Sequence, residues 1–182
     1  MTAAPQHPET MSLEQWRALG EDTSARFELV RGVVDVSPMP RPMHSLASSL
    51  LWRQIFDQAP TPVLCLQEIE VLVAPGACPT VRVPDVALVE RPVEQPMPAE
   101  RVRLAIEILS PGTRRTDQVV KRAEYERAGI DAYWIIDLDG GPSAQLLTLV
   151  DGTYRSETVR GTFTATVPCP LRIDLDALSP QA

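Results

Sequence analysis

The sequence predicts an α/β domain with a mixed β-sheet flanked by helices, and three features of it do so. Leu104 to Leu109 is a short, nearly continuous apolar run, the pattern of a buried central strand, and Ala132 to Asp137 is a second strand. Between them lies a stretch of helical character, Asp117 to Ala128, stopped by Gly129. Earlier, Leu46, Leu50, Leu51 and Ile55 recur at helical spacing, so helices and strands share one chain.

The elements follow in order. Ser12 and Gln15 form a capping-box pair that opens a short helix running to about Leu19. Phe27 to Val36 reads as a hairpin turning on Arg31-Gly32, where glycine supplies the positive φ of a tight turn. Ser37 to Met43, SPMPRPM, is a proline-rich loop, and His44 to Gln58 is the helix of the Leu46 pattern, ended by Pro60 to Pro62. Val63 to Ala74 and Val81 to Glu90 are expected to be strands, with Pro75-Gly76 closing the first, and Arg91 to Arg101 an exposed loop. The Leu104 strand ends at Ser110-Pro111-Gly112. After the Ala132 strand and its Asp-Gly-Gly-Pro turn, Gln145 to Val150 and Thr153 to Val159 form a hairpin across Asp151-Gly152.

A chain of 182 residues suits one domain, expected over 11–178 behind a disordered leader, 1–10. No apolar run approaches the roughly 20 residues of a membrane span. The opening MTAAPQHPET lacks the basic and apolar regions of a signal peptide, so the cytoplasm is the expected compartment. Cys65, Cys78 and Cys169 are odd in number and lack CxxC spacing, which argues against a zinc site and a disulfide framework. The net charge of −7 opposes avid non-specific binding to nucleic acid, since that affinity comes from Lys and Arg on phosphates. Against this, Arg101, Arg103, Arg114, Arg115, Lys121 and Arg122 bring six positive charges to one stretch, enough for a locally basic cleft.

Two carboxylates stand where burial is expected. Glu107 interrupts Leu104 to Leu109, and Asp85 lies in VPDVALV, Val83 to Val89. An unpaired buried charge costs at least several kcal/mol, so such groups are paired, protonated or bound to metal. Alternation puts Val83, Asp85 and Ala87 on one face, and Ala105, Glu107 and Leu109 on one face. If the faces coincide, the pair suits a hard cation, Mg²⁺ or Mn²⁺. A buried ion pair to Arg or Lys, or a strand end reaching solvent, would explain each carboxylate equally well. In the following helix Asp117, Lys121 and Tyr125 lie at i, i+4 and i+8, so Lys121 can reach back to the Glu107 strand; an exposed Asp117–Lys121 ion pair is the plainer alternative. His44 either contacts the site or occupies a first helical turn. Tyr125 orients Lys121 or a phosphate, or packs in the core, and Tyr133 and Trp134 suit a core or a dimer interface. No P-loop, GxGxxG, GxSxG or HExxH is present.

These segments together resemble a known family. FELVRG (27–32), the SP-M-P loop followed by His44, VPDVALV (83–89), IEILSPGTRRTD (106–117), K-x-x-x-Y (121–125) and AGIDAYWIID (128–137) occur in the order of the Uma2 family, within the PD-(D/E)xK nuclease superfamily. The resemblance runs from about residue 12 to 175 and implies a restriction-endonuclease-like core hydrolysing nucleic-acid phosphodiesters, DNA before RNA, with Mg²⁺ or Mn²⁺, as a homodimer. It makes Asp85 and Glu107 metal ligands assisted by the Ile108 carbonyl. Lys121 becomes the catalytic lysine and Glu28 the more distant acid, for which Glu68 and Glu70 compete. His44, Arg114 and Tyr125 become candidate substrate contacts. The sequence departs from a strict E-x-K, which would need lysine where Leu109 stands; Lys121, on the next helix, takes that place. Two other functions stay open: a non-catalytic dimeric binding module on the same scaffold, which the acidic balance favours, and a metal-dependent hydrolase of another phosphate ester.

Overall fold

The structure, a computed structural model, describes residues 10–20 and 25–179. The expected leader, 1–10, lies outside the described residues except for Thr10. Helix α1, Leu13–Arg17, opens on the expected capping box: Gln15 N donates to Ser12 Oγ at 3.2 Å and Ser12 N to Gln15 Oε1 at 2.8 Å. Strands β1 (Arg26–Val30) and β2 (Val33–Ser37) form the expected hairpin, with Arg31 at φ 51° and Gly32 at φ 80° as a tight mirror-image turn demands. Helix α2, Pro42–Phe56, starts two residues before His44 because Pro42 occupies its first turn, where a missing N–H costs nothing.

The next two strands depart from expectation. Val63 to Ala74 is not one strand but β3 (Val63–Gln67) and β4 (Val71–Ala74), and Val81 to Glu90 divides into β5 (Thr80–Arg82) and β6 (Val86–Glu90). The two breaks lie opposite each other, since Gln67 pairs with Val86 and Val71 with Arg82. A single hairpin therefore bends as a unit from one sheet into another. Pro84 cannot donate to a ladder, and Glu68 takes the bend at φ 50°. The Arg91 to Arg101 segment is not simply an exposed loop either. It carries β7 (Met97–Pro98) alongside β4, with Met97 fully buried.

Strand β8 (Val102–Ile108) is the buried central strand expected from its composition. After it the chain makes a π-helical segment, Thr116–Lys121, and then α3, Arg122–Ala128, ended by Gly129 at φ 78°. The expected single α-helix is thus wider over its first half, a local form often found at functional sites. Strand β9 (Ala132–Asp137) leads to the hairpin β10 (Ser143–Val150) and β11 (Thr153–Arg160), and a further hairpin follows, β12 (Thr162–Ala165) and β13 (Leu171–Asp174).

Six strands form the larger sheet in the order β11-β10-β9-β8-β6-β3, with only β8 and β9 parallel, and five form the smaller, β2-β1-β5-β4-β7. The mixed sheet is as expected. One face of the larger sheet, with Leu104, Ile106, Trp134 and Ile136, packs on Leu51 and Ile55 of α2 and on Ile173 of β13. The other, with Ala105, Tyr133 and Ile135, packs on Tyr125 of α3 and Val71 of β4. Tyr133 and Trp134 are core residues, 0% and 1% exposed. Among the described residues no helix is long and apolar enough to cross a membrane.

Candidate metal centre at the sheet junction

Asp85 stands where the bent hairpin crosses between sheets, one residue before β6. The register Val86↔Ile106, carried one step further, sets it opposite Glu107 of β8. The expected convergence of the two carboxylates is present, though it arises at a break in the strand rather than along a continuous one. Both are buried, at 2% exposure each.

Their partners differ. Asp85 Oδ2 accepts from the Ile108 amide at 2.7 Å and lies 3.3 Å from His44 Nε2, while Oδ1 accepts from Arg26 Nη1 at 2.8 Å. His44 Nε2 also donates to the Ile108 carbonyl at 2.9 Å, which ties the start of α2 to the end of β8. Glu107 Oε1 accepts from Lys121 Nζ at 2.8 Å and from the Tyr125 hydroxyl at 3.3 Å, and Oε2 lies 3.8 Å from Arg26 Nη2. Arg26 Nη2 also donates to the Val83 carbonyl. Lys121 Nζ further contacts Glu28 Oε1 at 3.0 Å and lies 3.5 Å from Asp117 Oδ1, an oxygen that is buried and accepts no hydrogen bond. Behind them Arg82, 1% exposed, joins Glu28 at 2.8 Å to Glu124 at 2.7 Å.

This arrangement pushes the two central carboxyls apart. Burial pushes Glu107 up to about 8, with the charges of Asp85 and Asp117 adding to it against that of Lys121. Burial also works to raise Asp85, but the His44 hydrogen bond, the Arg26 and His44 charges and the Ile108 amide prevail and hold it at about 2. For Glu28 the opposing charges of Lys121 and Arg82 outweigh burial and lower it, whereas Asp117 is raised, chiefly by burial. Lys121 and Arg26 stay cationic: burial opposes it, and the surrounding carboxylates overcome that. His44 is raised mainly by its hydrogen bond to Asp85.

Of the residues expected at the site, the fold brings together Asp85, Glu107, Lys121, Glu28, His44, Tyr125 and the Ile108 carbonyl. Glu28 is the N-terminal acid of the cluster; Glu68 is exposed and Glu70 half-buried outside it. The Asp117–Lys121 pair is buried, not the exposed pair that spacing alone suggests, because the π-helical segment turns both residues inward. Tyr125 is fully buried, and its hydroxyl donates to Glu107 at 3.3 Å. Arg114 is not part of the cluster: its guanidinium is committed to Asp137 at 2.5 Å and Asp139 at 3.0 Å.

Four of the six residues expected to make a basic cleft are committed elsewhere: Arg101 pairs with Glu94, Arg103 with Glu90 and Asp131, Arg114 with Asp137 and Asp139, and Lys121 is interior, which leaves Arg115 exposed and Arg122 half-buried. Arg26 and Arg82 went unnoticed in the sequence. Arg82 carried a signal, being a charge between Val81 and Val83 in an apolar run, the same anomaly that exposes Glu107. Arg26 opens a hairpin strand and carried none.

Among the described residues no three His, Cys, Asp or Glu side chains are arranged to hold a metal ion. A hard, hydrated cation needs fewer, since Mg²⁺ is held through one or two carboxylates and keeps several waters. The donor chemistry here fits that kind of ion: two carboxylates and a carbonyl, all oxygen, in a cluster short of positive charge. Glu28, Asp85, Glu107, Asp117 and Glu124 share Arg26, Arg82 and Lys121 as fixed cations. The raised Glu107 and the unsatisfied Asp117 oxygen express that shortage.

The mixed sheets flanked by helices make this a restriction-endonuclease-like α/β fold. The architecture matches a crystal structure from Anabaena variabilis described as a "putative nuclease belonging to DUF820", with a TM-score of 0.64 and 20% identity over 92% of this chain and 97% of that one. The chain belongs to the Uma2 family, whose model, described as "Putative restriction endonuclease", matches residues 12–177. No curated protein matches the chain.

Proposed function

We propose that the protein is a metal-dependent phosphodiesterase acting on nucleic acid, DNA before RNA. The observation that carries this is the buried Asp85–Glu107 pair, set side by side by strand register and left short of positive charge. The family and the structural neighbour are both described as nucleases, which supports the same reading. Asp85, Glu107 and the Ile108 carbonyl would hold Mg²⁺ or Mn²⁺. Bound there, the ion supplies Lewis acidity to phosphoryl oxygens and makes water more acidic.

The chain's own residues do the rest. His44 fixes Asp85 and the Ile108 carbonyl in one orientation. Arg82 holds Glu28, Glu28 holds Lys121, and Lys121 with Tyr125 fixes Glu107. The Lys121 charge is buried and therefore weakly screened, so it also stabilises negative charge developing on a phosphoryl group at the carboxylates.

The test is Mn²⁺ titration by calorimetry of the wild type and Glu107→Ala, with cleavage of a plasmid and a single-stranded oligonucleotide in parallel. Binding and cleavage are both expected in the wild type and both lost in the variant. Metal binding retained by Glu107→Ala rules out this centre. A second reading, a binding module without catalysis, is favoured by the arginines that acids neutralise. It predicts no metal binding by the wild type and no cleavage of either substrate, whereas metal binding without cleavage leaves the centre standing and points to another substrate or a missing partner.

A further inference from the structure

Two cations reach Glu107, and they are held differently. Lys121 is ringed by three carboxylates and its side chain is only 5% exposed. The Arg26 side chain is 17% exposed, its Nη2 stands off from Glu107 at 3.8 Å, and its Nε–H is buried without an acceptor. Its fork donates to Asp85 Oδ1 and to the Val83 carbonyl but makes no close hydrogen bond to Glu107, so of the two cations it is the more exposed and the more weakly bound to Glu107.

The oxygens it covers are the informative ones. Asp85 Oδ2 is taken by the Ile108 amide and His44, and Glu107 Oε1 by Lys121 and Tyr125. The remaining oxygens are Asp85 Oδ1 and Glu107 Oε2, and Arg26 lies against both. A divalent ion bound by the pair needs those same oxygens, and two cations do not share them in a low-dielectric site without strong repulsion. Resting on the metal centre described above, we propose that Arg26 and the divalent ion are alternative counter-ions of one carboxylate pair, so that Arg26 sets the concentration at which the centre takes up metal. Arg26 is the first residue of β1, so rotation of its side chain frees the pair without any change in the strand.

Two measurements test the proposal together. Calorimetric Mn²⁺ titration of Arg26→Gln should give an affinity about tenfold tighter than wild type, as expected if the guanidinium covers the pair about nine-tenths of the time. Arg26→Lys, which keeps the charge but not the fork, should fall between. In the wild-type protein, the Nε–H resonance of Arg26 followed by NMR should shift on saturation with Mg²⁺ while that of Arg82 stays in place. An Arg26 signal that does not move, in a protein whose metal binding is lost in Glu107→Ala, overturns the competition and leaves the centre standing. An unchanged or weaker affinity in Arg26→Gln overturns it as well. No metal binding by either protein removes both the competition and the centre. Should Arg26→Gln not fold, the wild-type resonance decides alone.

Discussion

Arg82 and Arg103 are each held by two carboxylates at similar distances, Arg82 by Glu28 at 2.8 Å and Glu124 at 2.7 Å, Arg103 by Glu90 at 2.6 Å and Asp131 at 3.0 Å. Their surroundings differ. Arg82 is 1% exposed at the junction of the two sheets, while the Arg103 side chain is 36% exposed on β8. Water screens the second group and lets each partner find another ion, so its pairs are worth little. At the junction each charge depends on its neighbours, and losing one leaves others buried without compensation. The surface acids and arginines match one another locally. The interior set has more carboxylates than fixed cations, and the proposed metal centre rests on that imbalance.

The largest effect that sharpens this contrast is at Lys121. Lys121→Met keeps the side-chain length but leaves Glu107, Glu28 and Asp117 without their shared cation, and should cost about 3–5 kcal/mol in denaturant titration at pH 8. A loss below about 1 kcal/mol would mean that the junction behaves like the surface.

The next effect is in the pH profile. Asp85, held at about 2, contributes stability that is complete above the ordinary carboxylate range and lost as pH falls from about 4 to 2, amounting to about 2 kcal/mol. Glu28, also lowered, acts in the same direction. Glu107 acts the other way. Its folded form keeps a proton up to about 8 while the unfolded chain releases it near the ordinary value of 4.5, so stability declines across that interval. Melting temperatures from pH 2 to 9 should lose the lower limb in Asp85→Asn and the upper limb in Glu107→Gln. Profiles parallel to wild type in both would contradict the opposed shifts.

The smallest effect belongs to the surface. Arg103→Gln should shift stability by less than about 1 kcal/mol, and less still at high salt. A larger loss would erase the distinction between the two regions.

Much of this was legible in the chain, for local reasons. The Ser12 capping box and the turns at Arg31-Gly32 and Asp151-Gly152 follow from side-chain chemistry and positive φ over a few residues. Glu107 stands out because one charge in six otherwise apolar residues contradicts its own burial. The split strands were not legible. Pro84 marks one break, but a bend shared by two paired strands belongs to the packing of two sheets and not to either segment. Lys121 was legible as a candidate from its spacing with Asp117 and Tyr125, but its burial was not, because the same i,i+4 spacing reads equally well as an exposed ion pair.

By itself the sequence determined which runs are apolar, where the helices begin and stop, and that Asp85 and Glu107 are charges in the wrong company. These depend on a residue and its near neighbours. Only the tertiary structure decided which counter-ions those charges meet. Arg26 and Asp85 are 59 residues apart, Arg82 and Glu28 54, and Arg103 and Asp131 28. A Coulomb interaction depends on separation in space and on the surrounding dielectric, and the fold alone sets both.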